Sequence, residues 1–172
     1  YKDFAGDAVN RNFPDAANET VYLDTSARHD ITDVKVVHDS ENLYLYVKTA
    51  DAITEYNGTD LNWMNILIGT DSNEKSFAGY RYIVNRTPSE NKTSVERSEG
   101  GYKLEKIGEA EYRKEGNEMM FKIPLRLLGL SENDCYVQFK VADHVTKYDD
   151  IMDYYVSGDC APLGRLNYVY GY

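Results

Sequence analysis

Asp33-Val34-Lys35-Val36-Val37-His38, Asp39-Ser40-Glu41-Asn42, Leu43-Tyr44-Leu45-Tyr46-Val47-Lys48 is the stretch whose reading decides the fold. Two β-branched and aromatic runs flank a polar turn cluster. In the second run Leu43, Leu45 and Val47 recur at period two, so they share one face of a strand and form with the first run an antiparallel hairpin. The same alternation continues outward. Met64, Ile66 and Ile68 fall on one face of Trp63–Ile68, leaving Trp63, Asn65 and Leu67 on the other. Tyr80–Asn85 reads as a strand that ends at Arg86-Thr87-Pro88-Ser89, because Pro cannot donate to a ladder. Tyr102–Ile107, Ala110–Arg113, Glu118–Ile123, Cys135–Val141, Asp153–Val156 and Leu166–Tyr170 complete the series, with Lys114-Glu115-Gly116-Asn117 as a hairpin turn. Only Pro124–Gly129 reads as a helical turn, with Pro at its start and Gly at its end. About ten short strands with hardly any helix predict an all-β fold, a two-sheet antiparallel β-sandwich of jelly-roll type with at most one helical turn, as one domain over residues 1–172.

Composition narrows the function. The chain has 29 acidic against 19 basic residues and a formal charge of −10. The Lys and Arg residues are scattered singly, which offers no stripe for a phosphate backbone or an anionic membrane and suits a neutral ligand. No apolar run approaches the roughly 20 residues of a membrane span. The absence of Met at Tyr1 is read as a C-terminal fragment of a larger protein. Cys135 and Cys160 form no CxxC and no zinc pattern, and are expected as two buried thiols. Sequons at Asn18, Asn57, Asn85 and Asn91 do not settle the source. The 16 tyrosines, including Tyr154, Tyr155, Tyr168, Tyr170 and Tyr172, are what half-exposed strands favour.

Asp33–Ala50, Trp63–Ile68 and Tyr82–Arg86 together resemble the family-9 carbohydrate-binding module-like (DOMON-like) superfamily, of the kind appended to large secreted bacterial glycosidase-like proteins. Gly158-Asp159-Cys160-Ala161-Pro162-Leu163-Gly164-Arg165-Leu166-Asn167-Tyr168 is similar to its C-terminal signature, and Gly6-Asp7 with Arg11 and Ala27–Ile31 to N-terminal blocks. The resemblance implies a β-sandwich, sugar binding and often structural calcium. Better-studied members clamp a terminal sugar between two tryptophans. This chain has one Trp, with Phe77, Tyr80 and Tyr56 in or beside the corresponding loops.

A sugar site needs a ring to cover a pyranose face and amides or guanidinium groups for its hydroxyls. Trp63 and Asn65 on one strand face, with Arg81 and Asn85 on the next strand and Arg86 beyond it, form that candidate set. The alternative places Trp63 in the core. Arg28, Asp30, Arg86, Asp159 and Arg165 form a second constellation, read as an ion network that locks loops or as guanidinium forks for sugar hydroxyls or an acidic sugar. Asp71-Ser72-Asn73-Glu74 and Asp149-Asp150 with Asp153 are acidic turns with hard donors for calcium, without an assignable ligand set. Nucleophile-elbow, zincin and phosphate-loop motifs are absent. Of the three histidines, His38 is expected on the surface, and a Met64–His144 haem pair is set aside in favour of a core Met. The chain is thus expected to be a non-catalytic, monomeric carbohydrate-binding module of a secreted or cell-surface glycan-degrading protein. Its partners would be an oligosaccharide or polysaccharide and the parent's catalytic domain. The rival is a structural domain that packs on that catalytic domain and binds no sugar.

Overall fold

The predicted hairpin forms from Ile31–His38 (β3) and Asn42–Thr49 (β4), with Leu43, Leu45 and Val47 buried on one face as the alternation requires. A computed structural model describes residues 1–71 and 75–171, and among them the regular structure is strand. The other strands are Arg11–Pro14 (β1), Val21–Asp24 (β2), Asn65–Gly69 (β5), Tyr82–Val84 (β6), Lys92–Ser98 (β7), Leu104–Glu115 (β8), Glu118–Pro124 (β9), Val137–Asp143 (β10), Asp159–Ala161 (β11) and Tyr168–Tyr170 (β12). Strands β1 and β2 make a separate two-stranded sheet. The rest form one antiparallel ten-stranded sheet in the order β11-β10-β5-β6-β7-β8-β9-β4-β3, with β12 also paired to β10.

This sheet folds over on itself. Val34, Leu45, Val47, Met119, Phe121 and Ile123 from one half pack against Ile66, Ile68, Val84, Val137, Phe139 and Val141 from the other, a sandwich-like core. Its two ends nearly meet. Ile31 N donates to Asp159 Oδ2 at 2.7 Å, Val34 N donates to the Tyr1 carbonyl, and Tyr168 Oη donates to the Lys2 carbonyl. His38 sits in this seam, half-buried between Tyr170 Oη (2.7 Å) and the Glu132 carbonyl (3.1 Å), and not on an open surface as expected.

Other departures from the sequence reading have local causes. The strand expected at Asp153–Val156 is a second short 3-10 turn, Asp153–Tyr155, besides the expected one at Leu125–Leu127. Asp153 accepts from Thr146 Oγ1, Lys147 N and Ser157 Oγ, which curls the segment around its own carboxylate. Of the two strands expected at Tyr102–Ile107 and Ala110–Arg113, Leu104–Ile107 and Ala110–Arg113 belong to one strand, β8, whose pairing runs through Gly108. A Cβ there would lie 2.7 Å from Leu127 Cδ1. Cys135 and Cys160 are free and buried. No helix among the described residues is long and apolar enough to cross a membrane.

Candidate binding pocket

A cavity of about 650 Å³ opens beside the core where three segments meet: the loop after β4 (Glu55, Tyr56, Trp63), the β6–β7 turn (Pro88, Glu90, Asn91) and the end of β8 (Tyr112–Glu115). Trp63 is its floor and is 2% exposed. Half-buried Tyr56 and Tyr112 flank the indole, with ring centroids 5.7 and 6.2 Å away and interplanar angles of 46° and 79°. Trp63 Nε1 is buried and has no hydrogen-bond partner among the described residues. A buried indole N–H ordinarily finds an acceptor, so this one is a donor in want of a partner. Around the rings stand Glu55, Glu90 and Glu115 with Arg113, Lys114 and Asn91. Lys114 Nζ pairs with Glu55 at 2.7 Å and donates to the Ile53 carbonyl at 3.2 Å, which fastens the Tyr56 loop to β8. Burial raises the Tyr56 and Tyr112 hydroxyls above the ordinary tyrosine range, so both stay protonated donors at neutral pH.

The rings are held from behind. Met64 takes a left-handed conformation, φ +48°, and Trp63 does not share the face of Asn65 and Leu67 but is buried in the main core with Met64, Ile66 and Ile68, as the alternative reading of the sequence had it. Asn85 Nδ2 clamps that turn by donating to the Trp63 and Met64 carbonyls at 2.9 and 3.0 Å, and Asn65 Nδ2 donates to the Asn85 carbonyl at 3.0 Å. Met64 N donates to Asp143 Oδ1 at 2.9 Å.

Of the five residues nominated from sequence, then, Trp63 lines the pocket, while Asn65 and Asn85 are buried behind it and address backbone. Arg81 lines a different cavity of about 330 Å³, with Tyr82, Leu128 and Tyr136. Arg86 pairs with Glu96 at 2.7 Å and lies over the Tyr102 ring. The strand face meant to carry the site is closed by a second core, in which Leu67 and Ile83 lie under Phe77, Tyr80, Tyr154 and Cys160. Of the three aromatic residues named beside the corresponding loops, Tyr56 lines this pocket and Phe77 and Tyr80 lie in the second core; Tyr112, Asn91 and Lys114 come from segments whose sequence gave no sign of convergence. Nor does the second constellation form one network. Arg28 pairs with Asp60 and Asp143, Asp30 accepts from Gly6 N and Ala8 N, and Arg165 is exposed.

Two other features bear on function. A groove of about 640 Å³ runs between the β1–β2 sheet and residues 146–156, and its walls leave Phe13 (48%), Val21 (60%), Leu23 (63%) and Met152 (53%) exposed. The second feature is acidic. Asp3, Asp7 and Asp159 bring one carboxylate oxygen each within 4.8 Å of one another. Burial pushes Asp159 up to about 7 and Asp3 up to about 6, and it raises Asp7 as well. Asp3 Oδ2 and Asp7 Oδ1 are buried without hydrogen-bond partners. Three hard oxygen donors, two of them orphaned, fit the chemistry of a calcium ion, although buried Lys140 also supplies attraction to Asp3 and Asp159. The acidic turns nominated from sequence do not gather so: Asp153 is spent on its own loop, Asp149 and Asp150 are exposed, and Ser72–Glu74 lie outside the described residues.

No protein-family model, curated protein or solved structure matches the chain.

Proposed function

We propose that the domain is a non-catalytic carbohydrate-binding module whose ligand seats against Trp63, Tyr56 and Tyr112. The observation that carries this reading is an open pocket lined by Trp63, Tyr56 and Tyr112, whose Trp63 carries a buried indole N–H that lacks a partner among the described residues. A pyranose supplies what such a pocket lacks: apolar C–H faces for the rings and a hydroxyl oxygen for the indole N–H. Asn91, Glu90 and the tyrosine hydroxyls stand ready for the other hydroxyls. With one or two sugar rings covered, the expected Kd is about 10 μM to 1 mM. The buried His29–Asp143 pair is no catalytic dyad in this scheme, because His29 Nε2 already accepts from Thr54 N at 2.8 Å. In keeping with the resemblance, the domain serves a secreted or cell-surface bacterial glycan-degrading protein and holds that protein's catalytic domain near its substrate. Calcium, where bound, is structural, with Asp3, Asp7 and Asp159 as donors.

The test is Trp fluorescence during titration with mono- and oligosaccharides, the single Trp making the signal unambiguous. A saturable change with at least one sugar, weakened by Tyr112→Ala in a folded variant, is expected. A flat response across the panel contradicts the proposal. The second reading, a structural domain that docks on the parent's catalytic domain, is favoured by the exposed aliphatic groove at β1–β2, since such patches mark interaction surfaces. It predicts instead a complex with that domain that Val21→Ser with Leu23→Ser abolishes, and no sugar response.

A further inference from the structure

One buried carboxylate, Asp143, anchors the loop that carries Tyr56 and Trp63. Asp143 Oδ2 accepts from Arg28 Nε at 2.8 Å and His29 Nδ1 at 2.9 Å, and its Oδ1 accepts from Arg28 Nη2 at 3.2 Å and Met64 N at 2.9 Å. From this hub two arms reach back. His29 Nε2 accepts from Thr54 N at 2.8 Å, and Arg28 Nη2 donates to Asp60 Oδ2 at 2.7 Å. Besides the Lys114 bonds to Glu55 and the Ile53 carbonyl, the segment carrying Tyr56 and Trp63 is therefore fixed at Thr54, at Asp60 and at the peptide after Trp63.

The partners of His29 define its protonation state. A carboxylate only accepts, so Nδ1 carries the proton, and a backbone N–H only donates, so Nε2 is bare. The ring is neutral and wholly used. Burial raises Asp143, but hydrogen bonds from His29 and Arg28 more than offset it and hold the carboxyl below its usual range. Asp143 thus remains ionised where an imidazole titrates.

We infer that His29 is a proton-operated latch on the binding pocket, closed when the ring is neutral and released when Nε2 takes a second proton. Protonated Nε2 and Thr54 N are two donors facing each other, so that tie is lost. The Nδ1 side keeps its bond to Asp143. The charged groups around the ring are Asp143 on β10, Arg28 beside it in sequence, and Asp60 on the pocket loop behind Arg28. Arg28 keeps its hold on Asp60, and Lys114 keeps its bonds to Glu55 and the Ile53 carbonyl, so the loosening is confined to the Thr54 peptide and the Tyr56 ring that follows it. Sugar is released in mild acid. This last consequence rests on the sugar-pocket reading; the latch itself does not.

The experiment uses the unliganded protein. Imidazole ¹⁵N shifts report the state of His29, and hydrogen exchange, corrected for intrinsic rate, reports the protection of the Thr54 amide as pH falls from about 7.5 to about 4.5. The expected result is a loss of Thr54 protection of about tenfold or more in step with His29 protonation, with a red shift of Trp63 emission. His29→Gln, whose amide oxygen accepts from Thr54 without titrating, should show neither change. Unchanged Thr54 protection while the imidazole titrates overturns the latch, as does an imidazole that stays neutral throughout. Should His29→Gln not fold, the wild-type comparison decides alone. If Thr54 responds but no sugar binds at any pH, the pocket reading fails and the latch stands.

Discussion

Met64, at φ +48°, holds an unbranched side chain in the left-handed region, and Asn85 at φ +78° does the same across from it. Each costs about 1–2 kcal/mol relative to ordinary backbone. The cost is offset by the two bonds from Asn85 Nδ2 and the one to Asp143, and what it secures is the placement of Trp63. Asn85→Ala should therefore destabilise the protein by about 3 kcal/mol in urea denaturation, since two buried carbonyls lose their donor and Ala is strained at that φ. Trp63→Phe separates ring from donor. It keeps an apolar floor and removes the N–H, so sugar affinity should fall about tenfold in calorimetric titration while the cooperative unfolding transition is kept. That Trp63 keeps the polar company of Asn65 and Asn85 was legible in the sequence. Their facing was not, because period-two alternation assumes extended backbone and one left-handed residue reverses it.

Among the elements, the strands easiest to read were those with one apolar face. β4 and β9 alternate cleanly because one side meets the core and the other meets solvent. β7, Lys92-Thr93-Ser94-Val95-Glu96-Arg97-Ser98, was missed. It is a central strand buried on both faces, and its polar side chains hide the strand pattern because their partners come from within the fold: Ser94 Oγ and Arg86 both reach Glu96. The pocket suffers the same blindness, for β8 supplies Tyr112 and a distant loop supplies Tyr56, and nothing local announces that they meet. Close backbone approach has a legible marker in Gly158, at φ +62° before β11. A Cβ there would stand 2.7 Å from the His144 carbonyl carbon and 2.8 Å from Val145 N. Gly158→Ala should cost more than about 2 kcal/mol in chemical denaturation, as strain and clash add, whereas Gly116→Ala, with open space around its Cβ, should cost only the strain of its own φ.

Over the whole molecule, the −10 charge and the carboxylates at the sheet's seam make stability depend on pH and cations. Asp159 near 7 and Asp3 near 6 lie above the roughly 3.9 of an unfolded Asp, so the folded chain binds more protons between those values. Their contribution to stability is present at low pH and is lost as pH rises from about 4 to about 7. In EDTA, urea denaturation should show this slope, flattened in Asp159→Asn. Calcium should replace the protons and restore stability at pH 7.5. An Asp159→Asn slope equal to that of the wild type would contradict this assignment. The all-β, sandwich-like class was legible across the chain because it follows from many short alternations at once, while a site assembled from a few residues of three separate segments is not.

The central claim is that the orphaned Trp63 N–H is the donor to a bound sugar. Its most direct test is the indole ¹H–¹⁵N cross-peak, of which this chain has one. Titration with the best ligand of the sugar panel should move that peak downfield, saturably and with the same Kd as the fluorescence change, as expected for a donor gaining an acceptor. An indole peak that stays fixed while backbone amides elsewhere shift would place the ligand outside this pocket and contradict the account.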